Sequence, residues 1–180
     1  MLYKNKKLFI DKISVNQIIK KFGTPTYCYS YNKLKENILN FKRNFKNIDP
    51  LICFAIKANN NIKILNEIAK FGLGADVVSK GELLAALKSK INPKKIVFSG
   101  VGKTYDEINF AIKKKILLIN AESQSEIETI LKIAKKLNRS VDIGIRLNPN
   151  VDAKTIKEIT TGKTSNKFGL TENEIIDLIN

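Results

Sequence analysis

Between Leu51 and Leu147 of this 180-residue chain, short apolar runs alternate with amphipathic segments at nearly even spacing. That alternation constrains the fold more than any other feature. The first run, Leu51-Ile52-Cys53-Phe54-Ala55-Ile56, has no polar residue to interrupt it. A run that is apolar on both faces suits a strand of a buried parallel sheet. The same reading gives strands at 26–29, 51–56, 75–78, 95–98, 116–120 and 141–147. Helices are expected at 15–22, 32–45, 61–71, 80–88, 105–113, 123–137 and 171–179. The helix at 123 carries a start signal, Ser123 followed by Glu126, the spacing of a capping box. Its apolar residues Ile127, Ile130, Leu131, Ala134 and Leu137 repeat at the helical period.

Strands alternating with helices imply a parallel sheet with right-handed crossovers. Two α/β architectures compete, a doubly wound open sheet and a (β/α)8 barrel. No GxGxxG opens a helix after a strand, so the dinucleotide fingerprint is missing. Polar residues gather instead at the C-terminal ends of the strands. Lys57-Ala58-Asn59 follows the first, Asp76 lies within the second, and Ser99-Gly100 follows the third. Asn120 and Glu122 come from the fourth, and Arg146 with Asn148-Pro149 from the fifth. Barrel enzymes place their chemistry at this edge. A connection at 149–169 without helical periodicity follows, long enough to be functional or mobile.

The net charge of +15 raises the question of nucleic acid. Only three of the 32 basic residues are arginines, Arg43, Arg139 and Arg146. Isoleucine (27 residues) and asparagine (20) are as inflated as lysine. All three have A/T-rich codons, so a base-composition bias explains the charge. Lysine is also spread over every expected helix, without a basic stripe interleaved with aromatics. Neither nucleic acid nor membrane is expected as a partner, since no apolar stretch approaches the roughly 18–20 residues of a membrane span. The basic N-terminal segment lacks an apolar leader core, which points to the cytoplasm. Cys28 and Cys53 lie in separate apolar runs and read as buried structural thiols. Histidine is absent, which removes Ser-His-Asp and Cys-His chemistry from these residues.

Lys57 ends the first apolar run. An amine there is expected to be partly desolvated, and so a better nucleophile toward a carbonyl. The other reading is a strand-end lysine whose stem lies along apolar surface. Asp76, a carboxylate in an apolar strand, needs a partner, which Lys57 or a ligand would supply. A turn or capping aspartate is the other reading. Arg146 is a fixed cation suited to a phenolate, carboxylate or phosphate, or to a structural ion pair. The string SGVGKT at 99–104 invites a P-loop reading, but that pattern needs glycine where Val97 stands. Its glycines suit a strand-to-helix turn whose backbone can approach a ligand.

Taken together, seven strings resemble the diaminopimelate decarboxylases, among the alanine-racemase-like pyridoxal-phosphate enzymes. They are FGTPTYCYS (22–30), FAIKANN (54–60), GADVVSKGEL (74–83), IVFSGVGKT (96–104), INAES (119–123), IRLNPNVDAKT (145–155) and TGKTSNKFGL (161–170). They stand in family order. The resemblance implies an α/β chain forming part of a pyridoxal-phosphate-binding (β/α)8 barrel, TIM-like and of alanine-racemase type, with about five of the eight strands. Residues 31–180 would belong to that barrel, and residues 1–30 would pack on a C-terminal β-domain that this sequence does not include. It further implies that Lys57 carries pyridoxal 5'-phosphate as a Schiff base. Ala55, Asp76 and Arg146 would lie beside the cofactor, with Arg146 near its phenolic oxygen.

The implied reaction is decarboxylation of meso-2,6-diaminopimelate to L-lysine by a homodimer, with a small amino acid as substrate and no metal. One departure stands out, Ile156 where the family carries histidine after VDAKT. The family's later elements, among them a ring-stacking histidine and a glycine-rich phosphate loop, are also not in this sequence. The 180 residues are therefore expected not to turn over substrate alone. Ornithine, arginine and carboxynorspermidine decarboxylases share the fold and form the nearest alternative. A basic nucleic-acid-binding module is the alternative of a different class.

Overall fold

A computed structural model describes residues 1–45, 47–151 and 168–179. The chain divides into two units, Met1–Pro50 and Leu51–Asn180.

The first unit opens with a three-stranded antiparallel meander, β1 (Leu2–Lys4), β2 (Lys7–Ile10) and β3 (Ile13–Ser14). Asn5 and Lys6 both have positive φ, as a two-residue type I′ hairpin turn requires. Ser14 then caps α1 (Val15–Phe22) in a reciprocal box with Gln17, and Gly23 ends it at φ 76°. Ser30 caps α2 (Tyr31–Asn44). Its hydroxyl also donates to Asp11 Oδ1 at 2.5 Å, which ties the meander to α2.

The meander was not read from the sequence. Its strands are two to four residues long, and neither turn carries the glycine that signals a hairpin. The strand expected at 26–29 is not formed. This stretch is unpaired among the described residues, and Tyr27 and Tyr29 are exposed. Cys28 is exposed as well, contrary to the buried thiol expected there. An apolar, β-prone string becomes a strand only where a neighbour completes its ladder.

The second unit repeats strand and helix: β4 (Cys53–Ala55), α3 (Ile62–Lys70), β5 (Gly74–Val77), α4 (Lys80–Lys88), β6 (Ile96–Phe98), α5 (Tyr105–Lys114), β7 (Leu118–Ala121), α6 (Gln124–Leu137), β8 (Ile143–Ile145) and α7 (Glu172–Ile179). All five strands are parallel and lie in the order β4-β5-β6-β7-β8. This order decides between the two architectures. A doubly wound sheet reverses direction at a switch point, whereas a barrel advances one strand at a time. Most of the expected connection at 149–169 lies outside the described residues, as does Ile156.

Register shows how the sheet is used, because partners in a parallel pair share a face. Ala75, Val77, Ile96, Phe98, Ile119 and Ala121 fall on one face and are all fully buried. One-handed crossovers put the helices there, and Leu65, Ile68, Leu83, Ala86, Ile108, Ala111, Ile130 and Ile133 from those helices are buried to the same degree. Burying each of the larger side chains contributes about 1.5–3 kcal/mol. The other face carries Cys53, Ala55, Asp76, Val97, Leu118, Asn120 and Gly144, all half-buried. The fold therefore offers one open face and one polar strand edge. Among the described residues, no helix is long and apolar enough to cross a membrane.

Candidate active site

Lys57 lies just past the C-terminal end of β4. The strand stops at Ala55, and Ile56–Ala58 forms a 3-10 turn in which Ile56 is fully buried and Lys57 is exposed. The partial desolvation expected for this amine is thus corrected, because Ile56 takes the inward position of the turn. The asparagines after Lys57 build the turn. Asn59 Oδ1 accepts from the Asn61 amide at 3.0 Å, and Asn61 Oδ1 caps α3 through the Lys63 amide at 2.9 Å. Among the described residues, the Lys57 side chain makes no hydrogen bond or ion pair, and its amine is uncommitted.

Asp76 is in register with Ala55, so both sit on the open face near Lys57. Lys57, one of the two partners considered for Asp76, does not pair with it. Asp76 Oδ1 instead accepts from the Ser99 hydroxyl at 2.6 Å, and Ser99 Oγ accepts from Asn120 Nδ2 at 3.0 Å. Gly144 makes the last contact possible, since a Cβ there would collide with Asn120 Oδ1. Cys53 shares this face. Burial, and then the Asp76 charge, push its thiol above the ordinary value.

Arg146 follows β8, and its Nη1 donates to both oxygens of Glu122 at 3.1 and 3.2 Å. Glu122 is buried, at 5% exposure, and also accepts from the Gly100 amide at 3.2 Å. The Arg146 guanidinium lies 5.0 Å from the centre of the Phe168 ring, a cation–π distance. Asn148 Nδ2 donates to the Phe168 carbonyl at 3.0 Å, and Leu147 bridges Leu170. Gly169 is required there, because a Cβ would stand 2.7 Å from the Arg146 carbonyl oxygen.

Lys103, from the string that resembles a P-loop, is held inside the protein. Its Nζ donates to the Gly100 carbonyl (2.6 Å), the Asn120 carbonyl (2.7 Å) and Glu126 Oε1 (2.6 Å). Gly100 gives its amide to Glu122, so this turn's backbone is partly used internally rather than for a ligand. Ser123 caps α6 through the Glu126 amide as expected. The Glu126 carboxylate does not close the capping box, however. It binds Lys103 and the Glu122 amide instead.

The structure thus gathers Lys57, Ala55, Asp76 and Arg146 at one edge of one sheet. Ser99, Asn120 and Glu122, marked in the sequence only as polar strand ends, Glu126, marked only as a cap, and the unmarked Lys103 and Phe168 surround Asp76 and Arg146. Glu122 had a usable signal, a carboxylate directly after an apolar strand. Lys103 had none, because a buried lysine reads like the exposed ones around it.

Residues 31–179 match the family model described as the pyridoxal-binding domain of the pyridoxal-dependent decarboxylases. A diaminopimelate decarboxylase of Helicobacter pylori strain J99 is 48% identical over 90% of this chain and 40% of its own length. One from Aquifex aeolicus is 43% identical over 93% of this chain and 40% of its own. The chain therefore spans about two-fifths of the length of these relatives. The crystal structure of a diaminopimelate decarboxylase from M. jannaschii in complex with L-lysine superposes with a TM-score of 0.88 at 39% identity, over 98% of this chain and 42% of that one. With the matched domain covering most of its length, the chain belongs to the pyridoxal-dependent decarboxylase family.

Proposed function

We propose that these residues form the lysine-bearing part of a diaminopimelate decarboxylase that uses pyridoxal 5'-phosphate. The observation that carries this reading is Lys57, an uncommitted amine at the C-terminal edge of a parallel sheet, in register-defined company with Ala55 and Asp76. The residues fit the cofactor. It is an aldehyde on an aromatic ring with anionic substituents, and the edge offers an amine, a carboxylate and a guanidinium above a half-open face. When bound, it supplies an electron sink for the carbanion left as carbon dioxide departs.

The chain's own residues would bind and orient. The Lys57 amine would hold the cofactor through its aldehyde carbon, the carbonyl oxygen leaving as water. Asp76, its carboxylate aimed by Ser99, sets a negative charge on the open face. Arg146 keeps a permanent positive charge at the opposite edge strand, suited to an anionic oxygen. The small side chain of Ala55 leaves room for a flat ring over the sheet beside Asp76. The same reading takes meso-2,6-diaminopimelate as substrate and L-lysine as product, in a cytoplasmic homodimer. Residues 31–180 would serve as barrel and residues 1–30 as a contact for a β-domain.

The test is attachment chemistry. The protein is incubated with pyridoxal phosphate, reduced with borohydride and mapped by peptide mass spectrometry. Label concentrated on Lys57 is the expected result. Label scattered over many lysines sinks the proposal, and salt-sensitive DNA binding without pyridoxal dependence would support the nucleic-acid reading instead.

A further inference from the structure

We propose that Lys103 is a positioning residue that fixes Asp76 and Arg146 together. Its side chain is 1% exposed and that of its partner Glu126 is 8% exposed. An ammonium buried this fully is tolerated only when it is paired and its donors are used. All three Nζ protons have acceptors, and each acceptor leads to the site.

One arm runs to Asp76. Lys103 holds the Asn120 carbonyl, the Asn120 amide donates to Ser99, and Ser99 donates to Asp76. The other arm runs to Arg146 by two routes. Lys103 holds the Gly100 carbonyl, and the Gly100 amide donates to Glu122. Lys103 also pairs with Glu126, whose second oxygen accepts from the Glu122 amide. Glu122 then takes the Arg146 guanidinium. A methionine would fill the same volume without the cost of a buried charge, so the ammonium is explained by what it holds. Hydrogen-bonded supports of this kind set the direction of the groups they carry. The consequence for the cofactor rests on the function proposed above; the positioning does not.

The test reads Arg146 directly, by the rate of phenylglyoxal modification at each of the three arginines. In the unsubstituted protein, Arg146 should react about tenfold more slowly than the exposed Arg43. Equal rates overturn the proposal with no variant needed. Lys103→Met strands the Glu126 charge and can fail to fold, so the decisive variant is K103M/E126Q, which removes both charges. There Arg146 should approach the Arg43 rate, while Arg43 and Arg139 stay within about twofold of their own rates. Arg139→Met removes hydrogen bonds to the Ile112 and Lys113 carbonyls at the other end of the sheet and controls for general loosening. It should leave the Arg146 rate unchanged.

A folded K103M/E126Q protein with Arg146 still slow overturns the proposal. In the same variant, the pyridoxal phosphate concentration for half-maximal labelling of Lys57 should rise about tenfold. Release of Arg146 with no such rise keeps the positioning and removes Arg146 from the cofactor assignment.

Discussion

The two thiols of this chain differ in environment, and their reactivity should show it. Cys28 is exposed, whereas Cys53 sits half-buried on the open face with its thiol pushed up by burial and by Asp76. Iodoacetamide near neutral pH should alkylate Cys28 at least about fivefold faster than Cys53, because the thiolate is the nucleophile. Peptide mass spectrometry checks this, and equal rates would place Cys53 elsewhere. Lys57, Asp76 and Arg146 stood out in the sequence because charge is costly at the end of an apolar run. Their partners did not stand out. Ser99 rather than Lys57 satisfies Asp76, since that depends on which strand ends become neighbours.

Glu107 ties α5 to α4. It closes the capping box of α5 with Thr104 and also accepts from the Lys80 amide at the first turn of α4, at 2.9 Å. Burial pushes its carboxyl up. Hydrogen bonds from Lys80 and Thr104, with the Lys80 charge, outweigh this and hold it below the ordinary carboxylate value. A carboxyl with a depressed folded value binds fewer protons folded than unfolded, so its contribution is complete above the unfolded value of about 4.3 and is lost as pH falls through the folded one. Glu107→Ala should cost about 1–2 kcal/mol at neutral pH by chemical denaturation. The difference from the unsubstituted protein should shrink as pH drops below about 4. A difference that is constant with pH would contradict this role. The helices of the second unit were legible because periodicity and caps are local. The meander was not, and the string at 26–29 misled, because pairing is not local.

For the molecule as a whole, the buried face of the sheet holds the second unit together, with Phe98 fully buried on the central strand. Phe98→Ala should therefore cost about 3–5 kcal/mol, read as a lower denaturation midpoint with little change in slope. A loss below about 1 kcal/mol would mean that this face is not the core. By itself, the sequence determined the alternation of strand and helix, the parallel sheet and the lysine at its edge. Each follows from apolar periodicity or from a charge beside an apolar run. Periodicity left a barrel and a doubly wound sheet open, the family resemblance implied the barrel, and the consecutive strand order agrees with it. Only the tertiary structure decided the exposure of Lys57 on its turn. It also decided the burial of the Lys103 side chain among the Gly100 and Asn120 carbonyls and Glu126. Those depend on which distant residues share a face, and an ammonium is buried or solvated according to acceptors that only folding brings to it.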